Sequence, residues 1–118
     1  MHNALKQTME QTMIEAKIVL PTNKNNGDTL INEHQELKKL LCTNYGGYTQ
    51  ISHAVGCWFD EKSKQVFEEA VINYVVAIPN NTIDKEQFKK FAIEYGKKAE
   101  QLAVYFVIGG KVNIIELN

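Results

Sequence analysis

Apolar and polar residues alternate along five short stretches of the chain and take helical spacing along two longer ones. Ile14, Ala16, Ile18 and Leu20 share one face at period two, which predicts a strand over 13–20 ended by Pro21. A polar loop follows over 22–28, with Asn25, Asn26 and Gly27 as turn formers. Leu37, Leu40 and Leu41 mark the buried stripe of a helix over 30–44, and Gly46-Gly47 suits its left-handed cap. A strand is predicted over 48–59, with Ile51, His53, Val55, Cys57 and Phe59 on one face and Tyr48, Gln50, Ser52, Ala54, Gly56 and Trp58 on the other. Asp60 to Lys64 forms a charged turn into a long strand over 65–78, closed by Pro79. There Glu68 shares a face with Val66, Ala70, Ile72 and Tyr74, and Glu69 shares the other with Phe67, Val71, Asn73 and Val75. Phe88, Phe91, Ala92, Tyr95, Ala99 and Leu102 trace one stripe of a helix over 83–101. Asn81 or Thr82 is its N-cap, with Asp84 and Glu86 in the first turn. Strands over 102–108 and 111–117 flank the turn Gly109-Gly110.

The order β-α-β-β-α-β with an added C-terminal strand is the split βαβ pattern of a ferredoxin-like α+β domain, an antiparallel sheet with two helices on one face. Residues 1–12 read as an N-terminal arm and 13–118 as one domain. The sheet's second face would carry Trp58, Phe67, Val71 and Val75. A monomer rarely leaves such a patch in water, so a homo-oligomer, dimer or higher, is expected; the alternative is that the N-terminal arm folds over it.

Composition narrows the partners. The net charge is −1 and all thirteen basic residues are Lys. The absence of Arg and of a basic surround argues against nucleic acid, even though Trp58 and Tyr48 could stack bases on an open sheet. No apolar run approaches the ~20 residues of a membrane span, and the first twelve residues lack the apolar stretch of a signal peptide. Two cysteines, Cys42 and Cys57, are too few for a disulfide framework, so a reducing, cytoplasmic setting is expected.

Candidate chemistry is sparse. His2, His34, His53, Cys42 and Cys57 show no metal-ligand spacing, and His53 and Cys57 would lie about 13 Å apart on a strand. No metal and no cofactor is therefore expected. Cys57, mid-strand and inward, reads as an inert core thiol. Glu68 and Glu69 point to opposite faces; whichever meets the helix-covered side needs a partner or has a raised pKa, which makes that pair the best source of a functional carboxylate. The loop with Asn23 and Lys24 runs from strand to helix and offers amides and a cation to a small anion, without the G-x-x-x-x-G-K pattern.

Gly47-Tyr48-Thr49, Gly56-Cys57-Trp58, a Glu some ten residues on and Gln101-Leu102-Ala103-Val104-Tyr105 together resemble a group of small uncharacterised ferredoxin-like proteins of bacteria, phages and mobile elements. The resemblance spans residues 16–108 and implies the fold, with no activity attached. It implies that Thr49, Trp58, Glu69 and Gln101 converge on a pocket at one end of the sheet. With His53, Asn23 and Lys24 these form the expected ligand or partner site. The expected function is a non-enzymatic oligomeric binding protein, an accessory protein of a phage or mobile element that sequesters a host protein or a small anionic, nucleotide-type ligand. The alternative is a small enzyme with a pocket between subunits, using Glu69 or His53 as general base.

Overall fold

The computed structural model describes residues 12–117, so the expected N-terminal arm over 1–12, and its alternative role as a cover, lie outside the described residues except for Thr12. Seven elements follow in order: β1 (Met13–Pro21), α1 (Ile31–Tyr45), β2 (Thr49–Asp60), β3 (Gln65–Pro79), α2 (Thr82–Lys98), β4 (Ala103–Ile108) and β5 (Lys111–Glu116). The class is α+β, with one open five-stranded sheet in the order β2-β3-β1-β4-β5 and every pairing antiparallel. Among the described residues no helix is long and apolar enough to cross a membrane.

The period-two pattern decides which face is packed. Ala16, Ile18 and Leu20 of β1, Tyr74, Val76 and Ile78 of β3, and Val104 and Phe106 of β4 meet Leu37 and Leu41 of α1 and Phe88, Ala92 and Tyr95 of α2 in one core. Gly46 caps α1 in the left-handed conformation, its N–H donating to the Cys42 carbonyl. The Asn81 side chain caps α2 by accepting from the Asp84 N–H. α2 approaches the sheet closely at Gly96, where a Cβ would stand 2.9 Å from Val104 Cβ. The helix stops before the stripe predicted to 102 is complete. Glu100 takes a left-handed φ of 56°, the chain turns, and Leu102 leaves the core at 68% exposure.

His34 is a core residue. Its Nε2 lies 2.7 Å from the Pro21 carbonyl, which can only accept, so Nε2 carries the proton. Nδ1 then accepts from the Tyr74 hydroxyl at 2.6 Å. The ring thereby ties α1 to the end of β1 and to β3.

Two features depart from strict alternation. β1 pairs with β3 only from Val71 to Pro79, so the rest of β3 and its partner in β2 run on as a two-stranded ribbon past the helices. Cys57, expected to be inward, is exposed for this reason, as is Glu68. The β2–β3 register also shifts between Ile51 and Ala54, and His53 there has a φ of 60°. Opposite residues of a pair share a face, so Thr49 and Ile51, opposite Val75 and Asn73, join Ala54, Gly56 and Trp58 on the uncovered side. Tyr48 goes the other way and packs edge-on against Tyr74.

Burial holds the His34 pKa below its ordinary value near 6.5, with Lys38 acting in the same sense and the Pro21 hydrogen bond and Glu33 opposing. The neutral ring is favoured in the fold, so its contribution is complete above the unfolded pKa and fades as pH falls through the depressed folded one. Thermal unfolding should show a falling midpoint from pH 7 to pH 5. His34→Phe should flatten that slope while lowering stability at pH 7 by about 1–3 kcal/mol, through two orphaned polar groups.

Candidate functional site

The uncovered face is not flat. Where the ribbon leaves the sheet, a cleft of about 840 Å³ runs between β2–β3 on one side and the Gln101–Tyr105 segment with Ile114 on the other. Val19 and Pro21 of β1 also line it, together with Asn25 from the loop after β1. The walls are mainly apolar: Val19, Val71, Leu102, Ile114 and the rings of Trp58, Phe67 and Tyr105. Trp58 and Phe67, directly opposite in the β2–β3 register, stack with centroids 4.8 Å apart and planes inclined by 23°. Both remain exposed, Trp58 at 46% and Phe67 at 38%, and leave the platform available to a ligand.

Glu69 is the only carboxylate lining this cleft, and no Lys lines it, among the described residues. It sits opposite Gly56, where an added Cβ would meet Val71 Cγ1 at 3.3 Å and Glu69 Cγ at 3.9 Å. The glycine therefore keeps open the space beside the carboxylate. Partial burial against apolar neighbours raises the Glu69 pKa above its ordinary value. The alternation of the strand predicts a desolvated carboxylate on the helix-covered side. The structure reverses this, because Glu68, on that side, lies on the ribbon where no helix reaches.

A smaller hollow of about 330 Å³ adjoins the cleft and shares Asn25, Trp58, Phe67 and Glu69 with it. Thr22, Asn23, Lys24 and Glu68 complete its lining. Lys24 pairs with Glu100 at 3.4 Å, linking the loop after β1 to the turn before β4.

Of the expected site residues, Trp58, Glu69, Gln101, Asn23 and Lys24 meet around these two connected hollows. Thr49 and His53 line neither. Thr49 pairs with Val75, eight residues along β3 from the Trp58 partner Phe67, a separation of about 26 Å. His53 is exposed on the bulge. Asn25, Asn73, Tyr105 and Gly56 line the cleft without having been singled out; Gly56 and Tyr105 stood within the recognised signature, and the two Asn carried no distinguishing pattern. Among the described residues no three His, Cys, Asp or Glu side chains gather as a metal site.

No protein-family model and no curated protein matches the chain. Among solved structures it is similar to a phage SAM lyase in complex with S-methyl-5′-thioadenosine, with a TM-score of 0.64 and 17% identity over 86% of this chain and 88% of that one. The apo state of a phage SAM lyase gives a TM-score of 0.56 and 15% identity over 90% of each chain. The fold is thus one that an enzyme uses across nearly its whole length, and the expectation of a non-enzymatic binding protein is corrected accordingly.

Because the raised pKa of Glu69 favours the neutral acid in the fold, its contribution is present below the unfolded pKa and is lost as pH rises through the folded one. Glu69→Gln should therefore be as stable as the parent at pH 4 and more stable at pH 7, by up to about 0.5 kcal/mol, in paired thermal melts. A parent more stable than the variant at pH 7 would show a carboxylate held by a partner.

Proposed function

We propose that this protein is a small lyase acting on S-adenosylmethionine, its fold a ferredoxin-like split βαβ with a fifth strand, and the cleft beside Glu69 its active site. The observation that carries the reading is a lone, partly buried carboxylate in an apolar, aromatic-walled cleft that has no cationic lining residue among the described ones. Such a cleft favours a ligand that is flat at one end and cationic near its middle, rather than the small anion expected from the loop alone. A sulfonium nucleoside has this form. The Trp58–Phe67 platform suits the adenine ring, Asn25, Asn73 and Gln101 offer amides to its polar edges, and Glu69 is the counter-ion of the sulfonium. Likeness to an enzyme solved in complex with S-methyl-5′-thioadenosine supports the choice of nucleoside.

The chemistry follows from the charge. Breaking the bond between sulfur and the four-carbon chain returns an electron pair to sulfur, which leaves as the neutral thioether. The substrate's own carboxylate oxygen closes onto the carbon that loses sulfur: one C–O bond forms as one C–S bond breaks, and neither water nor a proton is consumed. Positive and negative charge are both lost, so an apolar cleft favours the transition state over the solvated ions. Burial is the one influence that shifts the Glu69 carboxyl, with no hydrogen-bonding partner orienting it among the described residues, which suits a counter-ion better than a general base.

The uncovered face also supports a homo-oligomer in which a second copy closes the cleft, as Trp58, Leu102 and Ile114 remain exposed in one subunit. Native mass spectrometry should report a dimer or larger; a monomer at micromolar concentration would remove that part of the proposal.

Incubation with S-adenosylmethionine, followed by chromatography, should yield methylthioadenosine and a lactone. Glu69→Gln should slow this at least ~100-fold, and Gly56→Val, which fills the space beside the carboxylate, should weaken substrate binding while the fold persists. An intact substrate after prolonged incubation overturns the reading. An unsaturated amino acid in place of the lactone would reassign Glu69 to proton removal.

A further inference from the structure

Beyond the nucleoside cleft, and resting on the lyase reading, we infer that the adjoining hollow is an amino-acid subsite in which Lys24 binds the substrate carboxylate. The two hollows share Glu69 and the Trp58–Phe67 pair, so a ligand with its adenine on the rings and its sulfonium at Glu69 has its remaining arm directed either into open solvent or into the second hollow. That arm is a zwitterion, an ammonium and a carboxylate on one carbon. The second hollow is lined by one cation, Lys24, with Asn23 beside it, and shares the Glu69 carboxylate with the cleft, while the side chain of Glu68 belongs to the other face of the ribbon. A zwitterion needs both signs within a few ångströms, and the nucleoside cleft offers only one.

The Lys24 ammonium is available for exchange. Its partner Glu100 stands at 3.4 Å with a side chain 62% exposed, and an ion pair this open to water contributes little, so an incoming carboxylate replaces it at low cost. Lys24 itself is the less exposed member at 24%, held where a ligand carboxylate would be partly desolvated and its contact correspondingly stronger. The exchange would also fix the arm whose carboxylate oxygen must reach the carbon–sulfur bond, which makes Lys24 a binding residue for the attacking group.

Two thioethers separate the arm from the rest of the ligand. S-adenosylhomocysteine and methylthioadenosine share the nucleoside and an uncharged sulfur, and only the former carries the amino-acid arm. Calorimetric titration of the parent protein should show tighter binding of S-adenosylhomocysteine. Lys24→Met should weaken that ligand about tenfold and leave methylthioadenosine within twofold, and Lys24→Arg should restore most of the loss. Equal affinity of the parent for the two thioethers, or a Lys24→Met effect that is the same for both or absent from both, overturns the subsite while leaving the lyase reading intact. A parent protein that binds neither thioether and does not cleave S-adenosylmethionine overturns both.

Discussion

The register between β2 and β3 is the constraint on which the site depends. It sets Gly56 opposite Glu69 and Trp58 opposite Phe67. Because side chains alternate faces, a slip of one residue would send the carboxylate to one side of the sheet and its open space to the other. The two-residue irregularity between Ile51 and Ala54 absorbs the difference between the sheet-bound end of β2 and its projecting end, with His53 adopting the left-handed backbone that the bulge requires. His53 is thus a structural residue of the bend, and its side chain is turned to solvent.

The two faces of the sheet serve different ends. One is filled by α1 and α2 around Tyr74, Phe88 and Phe106, and its one buried polar side chain among the described residues, His34, has both ring nitrogens bonded. The other is left without a helix, yet Val71 is only 6% exposed there, shielded by the neighbours that form the cleft wall. Placing a carboxylate amid those walls costs stability unless a cation arrives, and this is how a binding site differs from a core. In the function proposed above, one apolar surface serves both a second copy and a sulfonium ligand, and the two are compatible where the former roofs the latter.

Most of the element order was legible because period-two and helical stripes are strong local signals. Pro21 and Pro79 close strands, Gly46 and Asn81 cap helices, and the observed ends lie within one residue of the reading for most elements. What failed was non-local. No pattern in Ile51-Ser52-His53-Ala54 announces a bulge, so the faces of β2 were assigned by unbroken alternation. Leu102 fits the helical stripe by spacing, but the turn at Glu100 removes it to the cleft. Of the Glu68–Glu69 pair, Glu69 lies in the cleft on the face opposite to the one expected, since which side of a strand lacks a helix depends on where the partner strands end. The convergence of Trp58, Glu69 and Gln101 was legible only through the recognised signature, and the link from there to Asn23 and Lys24 through none of it.

The ribbon that carries Gly56, Trp58, Phe67 and Glu69 runs beyond the reach of β1, with cross-strand bonds on one side of each strand only. A two-stranded ribbon is barely stable by itself in water, so this stretch sits at the low end of the molecule's local opening energies while the His34–Tyr74 region sits at the high end. Anything that packs on the exposed face of the Trp58–Phe67 pair therefore supplies the neighbour that these two strands lack, and stiffens the tip without any hinge elsewhere in the described chain.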